Sequence, residues 1–298
     1  MAHSGRSISL VLGSGGARGL AHIGIINWLE EHDYSIDSIA GCSIGALVGG
    51  VYALGKLDEF SHWVKAINKV EQLKLLDFSF GSGGLVKGDK IINTLIALTG
   101  ESLIEDLSIP FTAVAADIAN EKEVWIRQGP IFDAIRASIS LPLLFTPFER
   151  KGIQLLDGGI LNPVPIAPTF GDHTDQTFAV NLAGAPDLTL VHEPGETNTN
   201  KPSDTDEESS MFRQRIDQFI ESFSPEVATK PSLSLYTIAD QAFDTMQGAI
   251  ARQKLAAYPP DLVLEVPRNL CGTLEFDRGE EMIQFGYDLA EKSLSSLS

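Results

Sequence analysis

The sequence predicts an α/β fold built on a mainly parallel sheet, and three observations carry that expectation. Residues 7–12, SISLVL, are a short apolar run that passes into a glycine-rich loop, GSGGARG at 13–19, and then into a helical pattern. The same order recurs at once: an apolar run near 36–40, a glycine turn, and a second helical pattern after Ser43. With 298 residues and 43% hydrophobic side chains, the chain can bury a large single core. Strand, tight turn and helix, twice over, open a parallel sheet covered by helices.

The elements follow in order. Ala21, Ile25, Trp28 and Leu29 recur at helical spacing, and Ile44, Leu47, Val48 and Val51 do the same behind the second run. Leu57, Phe60, Val64 and Ile67 predict an amphipathic helix, and GDKIINTLIALTG predicts another that starts near Asp89. FTAVAADI and EVWIRQG read as a hairpin turning at Asn120 and Glu121. QLLDGG ends a short strand at Asp157, and TFAVNLAG is a further apolar strand. Residues 193–210, EPGETNTNKPSDTDEESS, are polar, acidic and rich in Pro, Ser and Thr, which predicts a mobile acidic loop. Helical segments near 211–223 and 232–256 and a last strand, DLVLEV, complete a single domain over residues 1–298.

Composition excludes several classes of function. A net charge of −18 argues against a nucleic-acid partner, which asks for a basic patch, and against electrostatic docking to anionic lipid. Any peripheral membrane or micelle contact would then have to be apolar or local. Cys42 and Cys271 form no disulfide framework, no histidine pair has metal-ligand spacing, and no cofactor or metal is expected. The first residues lack an apolar segment with a cleavage site, so a cytoplasmic setting is expected. The charge-free stretch 38–55 is barely long enough to span a bilayer, and its five glycines argue for strand, turn and helix instead.

That stretch holds GCSIG at 41–45. Gly41 and Gly45 permit a tight turn that leaves Ser43 at a helix N-terminus, where the helix dipole stabilises developing negative charge: the nucleophile-elbow pattern. The loop at 13–19 fails the dinucleotide fingerprint, because the sixth position counted from Gly13 is Arg18. Free N–H groups at Gly15 and Gly16 suit an oxyanion hole instead. Arg18 either steadies the loop, meets a phosphate, or is a surface charge. A Ser-His-Asp triad in hydrolase order leaves only His173 and His192 as bases, both in or beside polar loops, and His22 reads as packing. Asp157, at a strand end before two glycines, is either a turn aspartate or a group that approaches another backbone closely.

Four blocks in order, GSGGARG, GCSIG, ASISLP at 137–142 and DGG at 157–159, resemble the patatin-like phospholipases. The match is to the small bacterial type related to the neuropathy target esterase catalytic domain, and it covers at least residues 8–185. The resemblance implies a three-layer α/β/α patatin-like fold and hydrolysis of a lipid ester, a phospholipid or lysophospholipid, without histidine. Ser43 would be the nucleophile, Asp157 its base, and the Gly15 and Gly16 amides the oxyanion hole. Gly13, Arg18, Gly19, Gly41, Gly45, Gly158 and Gly159 would shape the supporting turns. Ser14 departs from the pattern, since many members have glycine there. Two other readings compete: a generic triad esterase, and a non-catalytic lipid-binding protein that keeps the fold. The apolar stretches 73–86 and 140–148 are either core or a lipid-facing patch.

Overall fold

The computed structural model describes residues 6–75, 86–189 and 235–295. The acidic tract 193–210, the helix expected at 211–223, His192, and residues 76–85 of the first apolar stretch lie outside the described residues. The described strands join in one sheet in the order β5-β6-β3-β2-β1-β7-β8, with β4 also pairing β3. The parallel part is β1 (Ser7–Leu12), β2 (Ser35–Cys42), β3 (Phe111–Asp117), β7 (Gln176–Gly184) and β8 (Leu262–Pro267). β4 (Lys122–Ile126) and β6 (Ile153–Asp157) run antiparallel to β3, and β5 (Phe148–Arg150) runs antiparallel to β6.

Strands buried on both faces read as near-continuous apolar runs, which is why SISLVL and FTAVAADI are legible as strands. Ile8, Leu10 and Leu12 of β1 face the larger core, while Val11 faces a smaller one with Val164, Ile166, Ala179 and Ala251. The large core is covered by α1 (Ala21–Glu31), α2 (Ile44–Ala53), α3 (Leu57–Ala66), α5 (Asp89–Thr99) and α6 (Ile131–Ser138). A short α4 (Lys69–Lys74) follows α3. On the opposite face lie residues 163–170 and the long α7 (Leu235–Ala257), whose Ala251 enters the smaller core. The sheet is thus sandwiched between two helical layers.

The last described helix, α8 (Gly279–Leu294), packs against α1. A Cβ on Gly24 of α1 would stand 1.8 Å from the Ile283 carbonyl, and one on Gly286 of α8 would stand 2.0 Å from the Ala21 carbonyl. Glycine at both places lets the two backbones touch. Among the described residues, no helix is long and apolar enough to cross a membrane.

The second apolar stretch divides. Leu144 and Phe145 are buried and pack inward, as the core reading expects, whereas Leu143 is 55% exposed with φ of 68°.

Candidate active site

Register explains why Ser43 and Asp157 meet. Cys42 pairs with Val114, so Ser43 follows at the level of Ala115, and Asp157 on β6 pairs with Ala115 itself. β4 fills the other edge of β3, with Val124 opposite Ala115, so β6 takes up the edge that β2 leaves after Cys42, and the two residues meet on one side of β3 at one height. Ser43 Oγ–H donates to Asp157 Oδ2 at 2.5 Å. The second carboxylate oxygen, Oδ1, accepts the Gly159 N–H at 2.7 Å.

Ser43 caps α2 with φ 56° and ψ −124°, a left-handed backbone that a non-glycine residue adopts at a cost of about 1–3 kcal/mol. The surroundings hold it there. A Cβ on Gly45 would meet the Leu12 carbonyl at 2.1 Å, and one on Gly41 would meet the Gly45 carbonyl at 2.5 Å, so the elbow can fold this tightly only with both glycines. The Ser43 amide donates to Ser138 Oγ at 2.9 Å, and Ser138 donates in turn to the Val114 carbonyl at 2.6 Å. The Asp157 amide donates to the Ser140 carbonyl at 2.9 Å. One block, ASISLP, so fixes both members of the pair. The sequence showed that block without a role for it, because its hydroxyl and carbonyl act on residues far away in the chain.

Burial pushes the Asp157 carboxyl up from 3.8 to about 6, against the hydrogen bonds from Ser43 and Gly159 that favour its charge. The Cys42 thiol beside it is raised well above 9.0, first by burial and then by the negative Asp157 and Glu123. It stays a neutral thiol and is no rival nucleophile.

The glycine loop lies across the top of β1. Gly13 N–H bonds Val180 O at 3.1 Å, Ser14 N–H bonds Pro163 O at 2.8 Å, and Ala17 N–H bonds Thr273 O at 2.9 Å. Between them, the amides of Gly15 and Gly16 have no acceptor among the described residues. Gly16 is left-handed, with φ of 58°, and its Cβ would strike the Thr273 carbonyl at 2.4 Å. Gly19 faces Ile44 at the start of α2, which lets the loop reach the elbow. Gly158 backs onto the Val114 carbonyl.

Arg18 ties the glycine loop to α7. It is buried and holds both carboxylate oxygens of Asp244, at 2.8 and 3.1 Å, together with the Arg268 carbonyl at 2.8 Å. It therefore has no open face for a phosphate. His22 is fully buried, with Nε2 3.0 Å from the Gly13 carbonyl, and burial lowers it to about 4. It is neutral and supports the loop from below. His173 precedes β7, whose Gln176 pairs with Ile8 at the start of β1. That is the opposite end of the sheet from Ser43, roughly 20 Å away at about 3.3 Å per residue, so His173 cannot be its base.

A cavity of about 150 Å³ opens beside Ser43 and Gly16. Its walls include Leu20, Phe60, Trp63, Leu95, Leu144 and Phe145, with Gln72 and Thr273 as polar members. Among the described residues, no group of three His, Cys, Asp or Glu could hold a metal ion.

Comparison with known proteins identifies the family. The family model described as "Patatin-like phospholipase" matches residues 10–170. An uncharacterized NTE family protein of Mycobacterium tuberculosis is 38% identical, over 97% of this chain and 91% of its own. Lysophospholipase nte1 of Emericella nidulans is 29% identical over 98% of this chain, which spans only 18% of that larger protein. Among solved structures, VipD from Legionella pneumophila superposes with a TM-score of 0.48 and 14% identity, over 98% of this chain and 67% of the other. By its family match and its near full-length relatives, the chain belongs to the patatin-like phospholipase family, a family of lipid hydrolases.

Proposed function

We propose that the protein hydrolyses carboxylic esters of lysophospholipids or phospholipids through a Ser43–Asp157 dyad and an acyl-enzyme. The observation that carries this reading is the 2.5 Å Ser43–Asp157 hydrogen bond beside an apolar cavity. Ser43 Oγ attacks the ester carbonyl as its proton passes to Asp157 Oδ2. The tetrahedral oxyanion is received by the Gly15 and Gly16 amides, each such donor being worth about 3 kcal/mol. Collapse breaks the bond to the leaving alcohol, which takes the proton back from Asp157. Water then attacks the acyl-serine with Asp157 again as base, releasing the fatty acid and restoring Ser43.

A carboxylate is ordinarily a weak base for a hydroxyl. A folded value near 6 narrows that gap while leaving Asp157 charged at neutral pH. The start of α2, which Ser43 caps, adds to stabilisation of the developing charge. The cavity walls suit an acyl chain, since Gln72 and Thr273 are its main polar members. The leaving lipid stays toward solvent, where exposed Leu143 flanks the wall residues Leu141 and Leu144 and offers a small apolar contact to a lipid surface. With a net charge of −18, such contact would be insensitive to salt.

The test is release of fatty acid from defined lysophospholipids, with fluorophosphonate labelling in parallel. Lysophospholipid turnover and labelling should both vanish in Ser43→Ala. A parent chain that neither labels nor turns over any lipid ester would leave a binding protein with a hydrolase fold.

A further inference from the structure

The family match ends at residue 170, yet α7, far beyond it, makes two polar contacts to the glycine loop and a third to β4. Asp244 clamps Arg18 of the glycine loop, Gln247 Nε2 donates to Ser14 Oγ at 2.9 Å, and Lys254 Nζ meets Glu123 Oε1 of β4 at 2.5 Å. Spacings of three and seven place these residues on one face of the helix, with Ala251 between them in the small core.

Gln247 is the least expected of the three. It is only 3% exposed, and a buried amide is costly unless its hydrogen bonds are met. An aliphatic side chain would fill the same space without that cost. A Cβ built on Gly159 would lie 2.0 Å from Gln247 Nε2, 2.7 Å from Ser14 Oγ and 3.0 Å from Asp157 Oδ1. The amide thus occupies the room that Gly159 leaves, beside the carboxylate face turned away from Ser43. Ser14 stands immediately before Gly15 and Gly16, so whatever fixes its side chain fixes the direction of those two amides. A glycine at position 14 would have no hydroxyl to take part.

We infer that Gln247 is a positioning residue: through Ser14 it holds the glycine loop in register with Asp157. On this account α7 completes a site whose reacting groups all precede residue 160. The inference rests on the dyad and oxyanion-loop reading above. It extends that reading by giving the C-terminal part of the chain a share in the rate. Small displacements of a preorganised donor act on the transition state more than on substrate binding, so the effect should fall on kcat.

The test uses the full chain, a chromogenic butyrate ester, and active sites counted with a fluorophosphonate. Four variants are compared: Gln247→Met, which keeps the length and loses the donor, Ser14→Ala, the double variant, and Ser43→Ala. Expected are a fall in kcat of about tenfold for each single variant, KM within about twofold, an unchanged melting temperature, and a double variant no slower than the worse single one. A Gln247→Met protein with parental kcat per active site would overturn the inference. So would a double variant whose loss is the product of the two singles, since Gln247 would then not act through Ser14. If Gln247→Met does not fold, Ser14→Ala alone decides: parental kcat there refutes the tie, and a kcat-only loss supports it. Ser43→Ala keeps the two readings apart. If it retains the rate, the dyad falls and this inference falls with it; if it is dead while Gln247→Met is unaffected, only this inference falls.

Discussion

The Ser138 hydroxyl accepts the backbone N–H of Ser43 at 2.9 Å and is itself anchored to the Val114 carbonyl at 2.6 Å. A fully buried side chain of α6 thereby pins the amide of a strained residue to the neighbouring strand. Ser138→Ala leaves two buried polar groups unpaired. It should lower stability by about 2 kcal/mol in urea titration and reduce kcat without changing KM. An unaltered transition midpoint would mean the clamp is idle.

Asp157→Asn should abolish turnover by at least about 100-fold, because the near-isostere cannot accept the Ser43 proton. In the parent, kcat should fall on the acid side with a midpoint close to 6, where burial places this carboxyl. A rate that stays flat down to pH 4.5 would exclude Asp157 as the base.

Stability should respond in the opposite direction. Between 3.8 and about 6 the folded chain holds the Asp157 proton and the unfolded chain does not, so stability falls as pH rises through that window, by about 3 kcal/mol in total. His22 opposes it. Between about 4 and 6.5 only the unfolded chain holds the imidazole proton, so stability rises with pH by a similar amount. The two nearly cancel in the parent. Asp157→Asn removes one of them, so it should melt above the parent at pH 8 and lose that lead toward pH 4. Parallel melting curves across this range would show that Asp157 is not buried as described.

His173→Ala should leave the rate unchanged, since this residue sits at the far end of the sheet. A kinetic loss in a variant that melts normally would bring back the triad.

The cavity of about 150 Å³ beside Ser43 is of the size that holds a benzene ring when lined by aliphatic side chains. Among soluble esters of increasing acyl length, kcat/KM should therefore peak at short to medium chains. Ile91→Ala, which removes part of a half-buried wall, should move the peak to longer ones. The same optimum in both proteins would place the acyl chain elsewhere.

Much of this was legible beforehand because the strands are local. SISLVL, FTAVAAD and most of TFAVNLAG are buried on both faces, and GCSIG carries its turn chemistry within five residues. Asp157 was less legible. Its partner arrives through the pairing of β6 with β3, so local sequence left it undecided between turn and function, and only the resemblance to a family favoured one. Gln247 had no local sign at all. A single amide in a helical stretch acquires meaning only when the fold sets it against Gly159, 88 positions earlier. Arg18 was ambiguous for the same reason, since its acid, Asp244, lies on that same distant helix.

The glycine crossing of α1 and α8 bears on how the chain is made. The two helices are separated by about 250 residues, and closing a loop of that length costs on the order of 5 kcal/mol before any contact offsets it. At about 5–20 residues per second of synthesis, α1 waits roughly 10–50 s on the ribosome for the surface that will cover Gly24. Throughout that interval a largely apolar helix stands open to water, which gives a chaperone time to bind it and gives a neighbouring nascent chain the same opportunity to aggregate with it.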